Sequence, residues 1–66
     1  MIRTDKLSGV IAESGFSKAD VAKAIGIHPK TFYSKMKKGV FGSDEIEAMV
    51  DLLNISNPWE IFFAQQ

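Results

Sequence analysis

"SKADVAKAIGIHPKTFYSKMKKG", residues 17–39, reads as two short helices joined by a tight bend. Ser17 suits the cap of the first, because its hydroxyl can accept an N–H of the opening turn. The inner face of that helix is Val21, Ala22 and Ile25, and Gly26 ends it. Pro29 suits the first turn of the second helix, where its missing N–H has no intrahelical partner to lose. Phe32 and Met36, one turn apart, form the buried side, and Gly39 closes the helix. Two helices linked by a bend as short as "IGIH" make a helix-turn-helix. Ala22 is small enough to let them cross closely, and Ile27 can plug the elbow.

The same period of 3.6 extends outward in both directions, and period 2 holds nowhere for long. Leu7, Val10 and Ile11 mark a helix over residues 5–14, with Thr4 as a cap and Gly15 as a stop. Ser43 opens a fourth helix whose stripe is Ile46, Met49, Val50 and Leu53, and Asp44 and Glu45 complement the dipole of its first turn. Asn57, Pro58 and Glu60 combine a cap, a first-turn Pro and an acid ahead of Ile61, Phe62 and Phe63. The spacing therefore predicts an all-α fold, a compact five-helix bundle with helices over 5–14, 18–25, 29–38, 44–53 and 58–63. All 66 residues are expected to form one domain, since two cores do not fit this length.

The formal net charge is zero, yet the charges are segregated. Residues 17–39 carry Lys18, Lys23, Lys30, Lys35, Lys37 and Lys38 against Asp20 alone, a balance of +5. Residues 40–66 carry Asp44, Glu45, Glu47, Asp51 and Glu60 with no Lys or Arg, a balance of −5. Such a chain is dipolar, with one cationic face. At 100° per residue, Lys30, Ser34 and Lys37 lie opposite Phe32 and Met36, flanked by Thr31 and Lys38. Tyr33 stands on the border of that ridge, four residues before Lys37. A basic helical ridge of this kind fits the major groove of B-DNA. Lys18, in the first turn of the second helix, is placed to meet a phosphate.

The ordered set Ala22, Gly26, Ile27, Thr31, Phe32 and Gly39 resembles the helix-turn-helix of the Cro/repressor (XRE-like) family of phage and bacterial DNA-binding proteins. The segment "SDEIEAMVDLLNISNPWEIFF" resembles that family's fourth and fifth helices, so the likeness covers about residues 5–63. It implies a lambda-repressor-like DNA-binding domain, close to the short Cro-like phage proteins, that occupies an operator in double-stranded DNA and regulates transcription. It also implies that residues 29–38 are the recognition helix. Pro29, Lys30, Tyr33 and Ser34 would then face bases, and Ser17 and Lys18 would hold phosphate. Three positions depart from the family pattern. Lys18 replaces a common Gln, His28 replaces the usual Ser or Thr before the recognition helix, and Pro29 stands where relatives carry a long polar reader. His28 has two readings, a helix cap or an imidazole donating to a phosphate or base edge. Tyr33 likewise is either a packing residue or a DNA contact. Lys37 and Lys38 suit the DNA backbone, because a mobile ammonium meets phosphate as a point charge.

Chemistry of other kinds has little to work with. One histidine and no cysteine leave no nucleophile–base pair, no thiolate site and no disulfide. No metal-ligand spacing occurs, and "KKGVFG" lacks the strand and the Gly-Lys-hydroxyl pattern of a phosphate loop. The acids of the fourth helix read as a solvated face. Neither an enzyme nor a cofactor is expected. The first residues hold no secretory apolar stretch and no run is long enough to span a bilayer, so the expectation is a cytoplasmic protein. "NPWEIFF" puts Trp59, Ile61, Phe62 and Phe63 into two turns, more apolar surface than so small a core can take. Ile61 and Phe62 are expected inside, and Trp59 or Phe63 at an interface that would pair two copies on half-sites roughly 34 Å apart. A second reading is an antirepressor-like modulator that keeps this fold but binds a partner repressor or another phage protein.

Overall fold

A computed structural model describes residues 2–62. The chain forms α1 (Thr4–Ser14), α2 (Lys18–Ala24), α3 (Pro29–Lys38), α4 (Ser43–Leu53) and α5 (Pro58–Phe62), with no strand among the described residues. The expected all-α, five-helix architecture with its helix-turn-helix is therefore present. Phe63, expected to extend the last helix, lies outside the described residues.

Three helices end in one device, in which a residue of positive φ turns the chain and two N–H groups bond back to the last carbonyls. After α2 the Ile27 N–H donates to the Ala22 carbonyl at 2.9 Å and the Gly26 N–H to that of Lys23 at 3.2 Å. Gly26 has φ 85°, which a side chain would resist, so the bend between α2 and α3 requires glycine there. Val40 and Gly39 bond back to Lys35 and Met36 in the same way after α3, and Ile55 and Asn54 to Val50 and Asp51 after α4. This device draws Ile25 out of α2, where the sequence pattern had placed it, and leaves it partly buried at the edge of the core.

Two helix starts differ from expectation. Arg3, not Thr4, occupies the cap position of α1 and makes no side-chain cap bond. Its N–H instead donates to the Ile61 carbonyl at 2.6 Å, which ties the start of the chain to α5 and fixes where α1 begins. Gly42, not Ser43, precedes α4, because the Glu45 carboxylate reaches back to accept the Gly42 N–H at 2.8 Å.

The core draws on every helix: Leu7 and Ile11, Val21 and Ala22, Phe32 and Met36, Met49 and Leu53, Ile61 and Phe62. Each fully buried large side chain contributes about 1.5–3 kcal/mol. Phe41 joins them from the connection between α3 and α4, its ring centroid 5.4 Å from that of Phe32. The α2–α3 pair is the most closely packed, and α4 supports it from behind while touching α1. The buried side of α3 is thus held from within, which leaves its other side to solvent.

Candidate nucleic-acid interface

Pro29 sits at the first position of α3, and the chain before it is extended at His28. The His28 Nδ1 accepts the Lys30 N–H at 3.1 Å, so the imidazole caps the helix. An accepting Nδ1 carries no proton, which leaves Nε2–H as the ring's donor. The cap reading of His28 is therefore realised, and the ring is exposed with a donor still available. Both readings of the residue are compatible in one geometry.

Along α3 the residues opposite Phe32 and Met36 are all exposed: Lys30, Thr31, Ser34, Lys37 and Lys38. Tyr33 is half exposed, and its ring meets the buried Phe32 edge-on at 6.5 Å and 76°. It packs and presents its hydroxyl end at once. Pro29 is partly buried, so it offers a ring edge rather than a polar group. The helix of ten residues is about 15 Å long, a length that the major groove accommodates.

The start of α2 is closed more tightly than its sequence suggested. Ser17 Oγ accepts the Asp20 N–H at 3.0 Å, and Asp20 Oδ2 accepts the Ser17 N–H at 3.1 Å. This reciprocal cap holds the Asp20 carboxyl below its ordinary range, chiefly through the Ser17 backbone and side-chain bonds. An anion already lies against that helix end, so the phosphate attraction expected there falls to the Lys18 ammonium and the Ser17 hydroxyl proton. Lys18 is partly buried and Ser17 exposed.

Charge pairing divides the lysines. Lys35 Nζ lies 2.6 Å from Glu45 Oε2, joining α3 to α4. Glu45, expected on a solvated face, has a side chain only 15% exposed, and its carboxyl is held low first by the Lys35 hydrogen bond, against some desolvation, with help from the Gly42 N–H. Lys18, Lys23, Lys30, Lys37 and Lys38 form no salt bridge among the described residues. Lys35 belongs to the scaffold, and the other five remain available to an external anion. Among the described residues no group of His, Cys, Asp and Glu could hold a metal ion, and no helix is long and apolar enough to cross a membrane.

Two crossed helices, a glycine bend between them and a second helix with a solvent-facing basic ridge define a helix-turn-helix DNA-binding domain of the regulatory kind. The family model described as bacterial regulatory protein, Fis family, matches residues 5–39, which is α1 through the end of α3 and more than half of the chain. The chain belongs to that family. No curated protein and no solved structure matches it.

The sequence reading missed two residues that shape this surface. Phe41 supports Phe32 from a loop, and its signal is an aromatic flanked by Gly39 and Gly42. Glu45 binds Lys35 at the flank of α3, away from the ridge, and its signal is an acid three residues after Gly42.

Proposed function

We propose that this chain is a sequence-specific transcriptional regulator of the phage or prophage Cro/repressor type, acting in the cytoplasm as one domain over residues 1–66. It works by setting α3 into the major groove of an operator and blocking access to it. Lys30 and Ser34 read base edges, Tyr33 contacts a base with its exposed end, and Pro29 packs against one. Ser17, Lys18, Thr31, Lys37 and Lys38 hold the DNA backbone. His28 donates Nε2–H to a phosphate while its Nδ1 caps the helix.

The observation that carries this reading is the exposed ridge of α3, whose Lys30, Lys37 and Lys38 form no salt bridge among the described residues. The finer Cro-like assignment is favoured by α4 and α5, which follow the matched segment in the order the resemblance implies. Pairing of two copies is favoured by Trp59, 70% exposed on α5, since a Trp at a surface is a frequent anchor. The second candidate there, Phe63, falls outside the described residues.

Selection of binding sites from a random DNA pool tests the reading. Lys30→Ala and Ser34→Ala should each relax the preference at one position of the selected site, with a cost of about 1–3 kcal/mol. An unchanged preference in both variants would remove α3 as the reader.

A further inference from the structure

Behind Phe41 lies a groove of about 540 Å³, open to solvent and unrelated to the ridge of α3, since none of the exposed lysines lines it. Phe41, Ile46, Val50 and Pro58 form its apolar floor, and Glu47 and Asp51 its rim. Ile46 and Val50 are one helical turn apart on α4, and Glu47 and Asp51 repeat that spacing in the neighbouring row. The result is two parallel rows on one helix, one apolar and one anionic, at the same pitch.

We propose that this groove docks a cationic amphipathic helix of a partner protein. The complementary surface is a helix with aliphatic side chains at i and i+4 on one stripe and Lys or Arg at the same interval beside it, the helix-in-groove mode of recognition. Charge selects this occupant. Glu47 and Asp51 are exposed and form no salt bridge among the described residues, and residues 40–66 contain no Lys or Arg to neutralise them. Nucleic acid and anionic lipid are repelled by such a rim. A second copy meeting the groove about a two-fold axis would set Glu47 and Asp51 against their own symmetry mates. The inference does not rest on the DNA-binding reading, although Phe41 touches both the groove and Phe32 of α3.

The test is a nuclear magnetic resonance titration of the isotope-labelled full chain with two synthetic peptides. One is a helical peptide with Leu at i and i+4 and Lys beside them; the other has the same composition in scrambled order. The amphipathic peptide should shift the amides of Ile46, Val50 and their neighbours, and bind at least about tenfold more tightly than the scrambled one. Glu47→Lys with Asp51→Lys should remove that preference while leaving the thermal transition in place, since both side chains are exposed. Equal binding of the two peptides, or shifts confined to α3 or Trp59, would overturn the proposal. Shifts at Ile46 and Val50 that grow with protein concentration in the absence of peptide would overturn it too, by assigning the groove to a second copy. The comparison of peptides on the unaltered chain stands even if the charge-reversed variant fails to fold.

Discussion

Lys35 Nζ and Glu45 Oε2 lie 2.6 Å apart, and this contact fastens α3 to α4. The same carboxylate accepts the Gly42 N–H through its other oxygen. One side chain thereby caps α4 and neutralises one lysine of α3 that lies off the basic ridge. Glu45 is held below its ordinary pKa in the folded chain, so the unfolded chain binds its proton more readily. Its contribution is full above the unfolded value of about 4.3 and is lost as the pH falls through the lower folded value. Glu45→Gln should cost about 1–2 kcal/mol at neutral pH and flatten the acid limb of a plot of Tm against pH below the ordinary glutamate range. An acid limb unchanged in the variant would exclude this pair as its source.

His28 separates stability from binding. His28→Ala removes the cap of α3 and should lower stability by about 1 kcal/mol, measured by urea denaturation. His28→Ser restores a capping oxygen but not the reach of Nε2–H. It should match the parent in stability and bind DNA more weakly. Equal affinity of the parent and the Ser variant would confine His28 to its cap.

Lys37 and Lys38 end α3 with their ammonium groups exposed. Replacing both with Ala should reduce the slope of log Kobs against log salt by about 2, because each phosphate contact contributes about 0.9. The preferred DNA sequence should stay the same. A changed preference with an unchanged slope would make these residues readers rather than backbone contacts.

Phe41 lies in a loop yet is buried against Phe32. Phe41→Ala should cost about 3–5 kcal/mol, by lost burial and by the cavity left beside Phe32. For a chain this small that is most of the available stability. The variant should be largely unfolded at 37 °C by circular dichroism, and a cooperative transition near the parent's Tm would contradict the packing described.

Local chemistry made most of the fold legible. Pro29, Gly15, Gly26 and Gly39 punctuate the helices, and the 3.6-residue stripes name Leu7, Ile11, Phe32, Met36, Met49 and Leu53 as core. What escaped lies between elements. Phe41 belongs to no helix, so periodicity has nothing to say about it. Lys35 and Glu45 are ten residues apart on different helices, and only the folded chain brings them together. Asp20 is legible as a capping partner, since it stands three residues after a capping Ser17, as well as a charge set against the six lysines. The ridge of α3 follows from helical geometry alone; that Lys35, off the ridge, is spent on the scaffold is visible only in the tertiary fold.

Specific binding of operator DNA is what would separate a reading ridge on α3 from a solvated one. Fluorescence anisotropy with sequences selected from a random pool, set against the unselected pool at two salt concentrations, measures it directly. Selected DNA should bind on the order of 10³-fold or more tightly than the pool, with affinity falling steeply as salt rises. Equal affinity for both, or no binding even at low salt, would contradict the account and leave the lysines of α3 as a solvated face.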